Sequence, residues 1–386
     1  MPGPLIGLKI LDLTTVLMGP FATQILGDLG ADVVKIEPPE GDPVRHLGPM
    51  LNPGMSACFL HVNRNKRSVV LDLKTVEGRE AALDLAKDVD VFITNVRPAA
   101  MARLKLEYEA VSSVNPGIIY IALVGYGQDG PYADRAAYDD MIQAVCAIPS
   151  LIAQVGDGVP RYVPLAIVDR VVGQAAATAI LAAVVHKMKT GRGQYVEVPM
   201  FETMVPYVMA EHLSGHTFRP PVGEPGYSRL LATSRQAYAT LDGHVCTIVY
   251  TDKQWRSFFA LIGQPDRFAT DPRLANLSAR TSHISDLYAD VAAALKTKTT
   301  AYWIDALTEN DIPVMPLHNL LSIQSDPHLQ AVDFFRTVEH PTEGLMIEMA
   351  PMGKWSDSAP DAPLPAPTLG QHTAEILQRK AHKHEN

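Results

Sequence analysis

The chain's 386 residues, 47% hydrophobic and 19% charged, describe a globular protein able to bury a large core and, by length, to form two domains. A formal charge of -9 and a pI near 5.8 speak against a nucleic-acid partner, which calls for a basic face. Cys58, Cys146 and Cys246 lie far apart and fit no CxxC or Cys/His spacing, so neither a disulfide framework nor a structural metal is expected, and a reducing cytoplasm is.

The first residues, MPGPLIGLKILDL, carry Pro and Gly where a signal peptide would have its apolar core, and they read as a turn entering a strand. PFATQILGDLG then reads as a helix stopped by Gly30, and ADVVKIE as a second strand. SVVLDL, VEGREAALDLAKDV and DVFITNV repeat the alternation, and GIIYIALVGYG adds a further strand. Strands separated by helices in this way imply a parallel sheet covered on both faces, an α/β fold. A helix is expected to follow Asp169 as far as Lys189, ended by Thr190 and Gly191. Its apolar run over 175–185 is too short to span a bilayer, so no membrane segment is expected. YVEVPMF alternates as a strand. Residues 215–229 are rich in Gly and Pro and read as a linker. Beyond it come a DG-turn hairpin in QAYATLDGHVCTIVY, helical patterns at 252–263, 282–296 and 299–310, and a strand at PVMPLH. Together they predict a smaller α+β domain over 230–325. The tail is Pro-rich from Pro360 to Pro367 and ends in a helix within LGQHTAEILQRK.

ILGDLGADVVKIEPPEG sets a glycine, a strand and a terminal acid, Glu37, in the order of a dinucleotide fold, but Gly19, Gly27 and Gly30 have the wrong spacing for a pyrophosphate turn. Basic residues recur beside turns at strand ends: NRNKRS at 63–68, Lys74 in DLK, and Arg97 and Arg103 in NVRPAAMAR. Such positions suit a phosphorylated ligand. His61, His186, His212, His216 and His244 show no metal spacing. Tyr138 and Asp139 follow the glycine-bearing segment GYGQDGPYADR and read as a turn plus a helix start. Asp169, in VPLAIVDRVVGQ, sits among apolar residues, where burying an unpaired charge is costly. Two readings of it stay open. It caps the helix that begins there, or it is a carboxylate nucleophile that attacks a thioester carbonyl and forms a mixed anhydride.

Six segments taken in order resemble the class III CoA-transferase family (CaiB/BaiF, including formyl-CoA transferase) over essentially the whole chain. They are ILDLTTVLMGPFATQILGDLGADVVKIEPPEGDPVR, NRNKRSVVLDLKTVEGRE, DVFITNVRPAAMARL, GYGQDGPYADRAAYD, TGRGQYVEVPMFE and LGQHTAEIL. The resemblance implies a Rossmann-like large domain over 1–214, completed by 330–386, and two chains interlocked as a homodimer. It also implies transfer of CoA from an acyl-CoA such as succinyl-CoA to a free carboxylic acid, with no metal or organic cofactor. Asp169 falls on the family nucleophile, passing through an aspartyl anhydride and an aspartyl-CoA thioester. The CoA-binding positions carried over are Val16, Leu17, Met18, Lys74, Asn95, Arg97, Arg103, Leu104 and Met200. Tyr138 and Asp139 are expected to support the active site.

Many relatives have a basic residue where this chain has Pro38, and Arg45 is the candidate to replace that phosphate contact. VCTIVYTDKQW lacks the glycine-rich loop of formyl-CoA transferases, against oxalate or formate as substrate. The family's α-methylacyl-CoA racemases carry a histidine where this chain has Tyr138, which favours transfer over racemisation, with a non-catalytic CoA-binding homologue as the third reading. Arg229, Arg235 and His212 suggest a dicarboxylate as the acceptor.

Overall fold

The computed structural model describes residues 3–384. It divides into two compact units. One runs to Cys146, resumes over Tyr162–Tyr207 and closes with the chain from Asp333; the other takes Ala147–Arg161 and Val208–Val332. The boundary thus falls after Tyr207 rather than at 214, and residues 147–161 belong with the second unit.

The first unit begins with β1 (Lys9–Leu13), α1 (Met18–Asp28), β2 (Asp32–Glu37), α2 (Ala57–Asn63), β3 (Lys66–Val70), α3 (Val76–Ala86) and β4 (Val91–Thr94). It continues through α4 (Pro98–Leu104), α5 (Tyr108–Val114), β5 (Ile119–Val124) and α6 (Asp139–Val145). After α7 (Ile148–Val155), which belongs to the second unit, come α8 (Ile167–Thr190), β6 (Gln194–Pro199) and α9 (Met200–His212), whose residues from Val208 fall in the second unit. The six strands pair in parallel in the order β3-β2-β1-β4-β5-β6, a Rossmann-like doubly wound sheet. Every residue of β4 and β5 is buried, which is why VFIT and IYIALV are continuously apolar rather than alternating.

One face of the sheet packs Leu11, Phe92, Tyr120 and Val124 against Leu85, Met101 and Val111 of the covering helices. The other carries α1 and α8. The latter is 24 residues long with mean hydropathy 1.5, apolar enough by composition to cross a membrane and longer than its apolar run suggested. In the fold its Val172, Gly173, Ala176, Ala177, Ile180 and Ala183 are buried. Gly191, at φ 73, ends it in the left-handed cap that glycine adopts without penalty.

The second unit contains β7 (Tyr238–Ala239), β8 (His244–Thr247), α10 (Asp252–Leu261), α11 (Arg267–Thr270), α12 (Leu277–Ser282), α13 (Ile284–Leu295), α14 (Thr300–Glu309), β9 (Val314–Pro316) and α15 (Pro327–Ala331). Its antiparallel sheet β7-β8-β9 shares a core built on Trp255, Phe258, Phe259, Leu287 and Trp303. Thr251 and Gln254 form a capping box on α10, the local signal behind its sharp start.

The chain then returns to the first unit through an antiparallel hairpin, β10 (Phe335–His340) with β11 (Gly344–Met349), and ends in α16 (Thr373–His384). Ile376 joins the core of the sheet on the side of α3 and β3. The approach to α16 also closes the outer edge of β3: Ser68 N–H donates to His372 Nδ1, His372 N–H returns to Ser68 O, and Val70 N–H donates to Thr373 Oγ1.

Candidate active site

The site starts from the turn between β1 and α1, residues 14–18. Lys35, fully buried in β2, donates from Nζ to Thr14 O at 2.6 Å and pairs with Asp42 at 2.9 Å. Asp42 in turn accepts the N–H of Val16 at 3.1 Å. Asn95, just past β4, clamps Thr15 on both sides, accepting its N–H at 3.0 Å and donating to its carbonyl at 2.9 Å. These bonds hold Val16 at φ 70, a left-handed conformation that a β-branched residue rarely adopts. Such strain costs about 1–3 kcal/mol and gathers at functional sites. Helix α1 then begins with no side-chain cap at Leu17, so the turn and the helix start face the cavity without a screening side-chain bond.

Behind this turn lies a buried polar network. Asp12 accepts from Thr14, Thr23 and Lys66, and burial pushes Lys66 down to about 8 although Asp12 opposes the shift. Arg45 is a correction to the sequence reading. It is buried, forked onto Glu37 at 2.7 Å through both Nε and Nη2, bonded to the carbonyls of Gly54 and Pro367, and laid over the Phe59 ring. No part of it is left to replace a phosphate contact. Glu37, with Ser68 Oγ also donating to it, is equally occupied and cannot serve a nucleotide ribose.

Asp169 reaches the same cavity from α8. Gly173, one turn further along, lets the two helices touch: a Cβ there would lie 2.7 Å from Met18 O. The helix begins at Ile167 with Ala166 as its uncapped N-cap residue, so Asp169 lies inside the first turn and does not cap it. The cap comes from Asp139, whose Oδ2 accepts the N–H groups of Val168 at 2.7 Å and Asp169 at 3.0 Å. Asp139 Oδ1 accepts from Gln143 Nε2 at 2.6 Å, and Gln143 Oε1 accepts the Val163 N–H at 2.9 Å. The Asp169 carboxyl therefore has no hydrogen bond or ion pair among the described residues. Burial, with the Asp139 charge beside it and Arg170 opposing, pushes it up to about 6.

Val16, Leu17, Met18, Asn95, Arg97, Tyr138, Asp169 and Met200 line one cavity together. Lys74, Arg103 and Leu104 do not. Lys74 and Arg103 are exposed beyond it, and Leu104 packs against the core. Asp139 stands behind the lining rather than in it. Sequence reasoning missed Gly173, Gln128 and Arg135. Both Gln128 and Arg135 line the cavity and belong to the glycine-bearing segment before Tyr138, which was their available signal. That segment is pinned by carboxylates: Gly127 N–H donates to Glu202 at 2.8 Å and Gln128 N–H to Glu197 at 3.0 Å. Arg97, Arg135 and a single carboxylate, Asp169, are the charged residues of the lining, and no histidine lines the cavity among the described residues. No group of three or more His, Cys, Asp or Glu among the described residues is disposed to hold a metal ion.

A strained turn, an open helix start, two arginines and one carboxylate raised toward neutrality can hold an anionic ligand and attack its acyl carbon. The family model described as CoA-transferase family III matches residues 5–373. An acyl-CoA transferase from Fusarium pseudograminearum is 33% identical, over 97% of this chain and 84% of its own. A succinyl-CoA:glutarate CoA-transferase from Homo sapiens is 31% identical, over 97% of this chain and 85% of its own. The crystal structure of a CaiB/BaiF family protein from Brucella suis superposes with a TM-score of 0.83 at 29% identity, covering 98% of this chain and 100% of that one.

Proposed function

The chain belongs to CoA-transferase family III and is an enzyme that transfers CoA; on that premise we propose that it moves CoA from an acyl-CoA, with succinyl-CoA the first donor to test, to a free carboxylic acid through Asp169. The observation that carries this reading is the Asp169 carboxyl, released from helix capping by Asp139 and raised to about 6 in the cavity. At neutral pH it is ionised, yet more basic than an ordinary aspartate and so a better nucleophile.

In this reading an Asp169 oxygen attacks the thioester carbon of the donor; the carbon–sulfur bond breaks and CoA leaves as the thiolate. The thiolate attacks the aspartyl carbonyl of the mixed anhydride, freeing the donor acid and leaving an aspartyl-CoA thioester. The acceptor carboxylate then attacks that thioester carbon and expels the thiolate again. In the last step the thiolate attacks the acceptor's acyl carbon, forming the new acyl-CoA and restoring Asp169. Amides at the start of α1 are suited to each developing oxyanion.

Val16, Leu17, Met18 and Met200 face the pantetheine or adenine in this reading, and Arg97 pairs with a phosphate, with Asn95 fixing the turn. Lys74, Arg103 and Leu104 meet only the outer part of CoA. The reading includes an interlocked homodimer, a cytoplasmic location suited to three free cysteines, and turnover without metal or organic cofactor. The succinyl donor draws support from the name of the human relative.

Incubation with succinyl-CoA and a panel of carboxylic acids, read by mass spectrometry, should yield new acyl-CoA thioesters. Asp169→Ala should abolish them with little change in CoA affinity. Deuterium uptake at Cα of a 2-methylacyl-CoA without CoA exchange would replace transfer by racemisation.

A further inference from the structure

The second unit holds a cavity of about 320 Å³ lined by Arg229, Arg235, Tyr238, Thr247, Ile248 and Tyr288 among others. Arg229 is half-buried. Its Nε donates to the buried Tyr288 hydroxyl at 3.1 Å, and its guanidinium lies 5.7 Å from the centre of the Tyr250 ring. Its two outer nitrogens make no hydrogen bond among the described residues. Arg235, held at a turn by its N–H to Ala232 O, is exposed and makes no side-chain bond among the described residues. Neither guanidinium has a carboxylate within ion-pair distance among the described residues, whereas Arg267, Arg273 and Arg280 of the same unit do. No acidic residue among the described residues lines the cavity. Burial and Tyr288 raise the Tyr238 hydroxyl while Arg235 and Arg229 both lower it, so both charges bear on the same spot.

Two uncompensated guanidinium forks around a cavity of this size define a site for a small planar oxyanion, because each fork presents paired N–H donors in the geometry a carboxylate accepts. Ile248 and Ala237 supply an apolar wall for a short carbon chain. We propose that this cavity binds a carboxylate group of a small organic acid between Arg229 and Arg235. The choice of a carboxylate over a phosphate rests on the CoA-transferase reading, in which such acids are substrates. His212 takes no part: its Nδ1 accepts the Tyr227 N–H at 3.2 Å, and it does not line the cavity.

Isothermal titration calorimetry of the whole protein with glutarate, butyrate and inorganic phosphate tests this without turnover, so a protein that transfers no CoA still gives an answer. Glutarate should bind, and Arg235→Gln should weaken it ten-fold or more with CoA affinity unchanged. Arg229→Gln should do the same; if losing the Tyr288 bond unfolds it, Arg235→Gln, which breaks no bond, decides alone. Transfer kinetics then separate two sources of the acid. A higher KM for the acceptor alone identifies the acceptor, while an unchanged KM with lost binding identifies a separate acid. Glutarate affinity within two-fold of wild type in Arg235→Gln, or loss of phosphate or CoA binding in its place, would overturn the proposal.

Discussion

The carboxylate of Asp139 caps the helix that carries Asp169. Its Oδ2 takes the N–H groups of Val168 and of Asp169 itself at 2.7 and 3.0 Å, from thirty residues upstream. One acid thus does the structural work of the helix start, and its neighbour is left with an unbonded carboxyl. The same proximity sets two negative charges side by side, which helps hold Asp169 near 6.

The transfer rate should therefore fall as pH drops through about 6, along a one-proton curve, because in the proposed mechanism only the ionised Asp169 attacks. Asp139→Asn keeps an oxygen to accept the helix amides but removes the charge. Its kcat/KM inflection should move to lower pH, and an inflection identical to wild type would show that another group titrates.

Stability should move the opposite way. The folded state raises the pKa of Asp169 above its unfolded value of about 3.9, so it binds the proton more tightly and loses stability as pH rises from about 4 through 6. Asp169→Asn removes that penalty. Its melting temperature should exceed wild type at pH 7 and above, and the difference should vanish toward pH 4.

Gly173→Val should destabilise the first unit by about 1–3 kcal/mol, the usual range for overpacking. The added Cβ would stand 2.7 Å from Met18 O and 3.0 Å from the Phe21 ring, so α8 must back away from α1. Urea unfolding measures the loss, and transfer activity should drop further than stability because Asp169 moves with the helix.

Arg45→Leu should cost about 3–5 kcal/mol, since it strands a buried Glu37 carboxylate. The double variant Glu37→Leu/Arg45→Leu should recover part of that loss. Equal stability of the single and double variants in denaturant titrations would rule out the pair as a coupled unit.

Val16→Gly should leave stability equal or up to about 1.5 kcal/mol higher, because relief of a left-handed valine, about 1–2 kcal/mol, matches or exceeds the added unfolded-state entropy of about 0.5–1. CoA affinity should nevertheless fall, as the turn loses both a contact and its fixed shape. A paired denaturant and CoA titration reads both effects.

The alternation of strands and helices was legible because buried parallel strands leave continuous apolar runs such as IYIALV, and because Gly30 and Gly191 mark helix ends locally. The sequence puts the start of α8 three residues late, for a physical reason. Ala166 and Ile167 carry no capping side chain, and a cap donated from Asp139 leaves no mark in the local sequence. Arg45 looked like a surface cation because nothing nearby announces burial; only the fold sets it between Glu37 and Phe59. Lys74 and Arg103 stood at strand and helix ends, as a phosphate ligand would, yet both lie outside the cavity. The hairpin Phe335–Met349 has no counterpart in the sequence reading, although FRTVEH and GLMIEM flank a turn.

The bonds from His372 and Thr373 to β3 bear on how the protein is made. During synthesis the N-terminal sheet emerges long before residues 364–373, so the nascent chain carries β3 as an open edge strand, able to pair with other chains. Arg45 likewise waits for the carbonyl of Pro367, and Asn65 for the backbone of Leu364. The β3 edge of the unit that holds Asp169 can therefore close only once this segment has left the ribosome. A premature stop before it would leave a chain with every cavity-lining residue in place and an aggregation-prone edge uncovered.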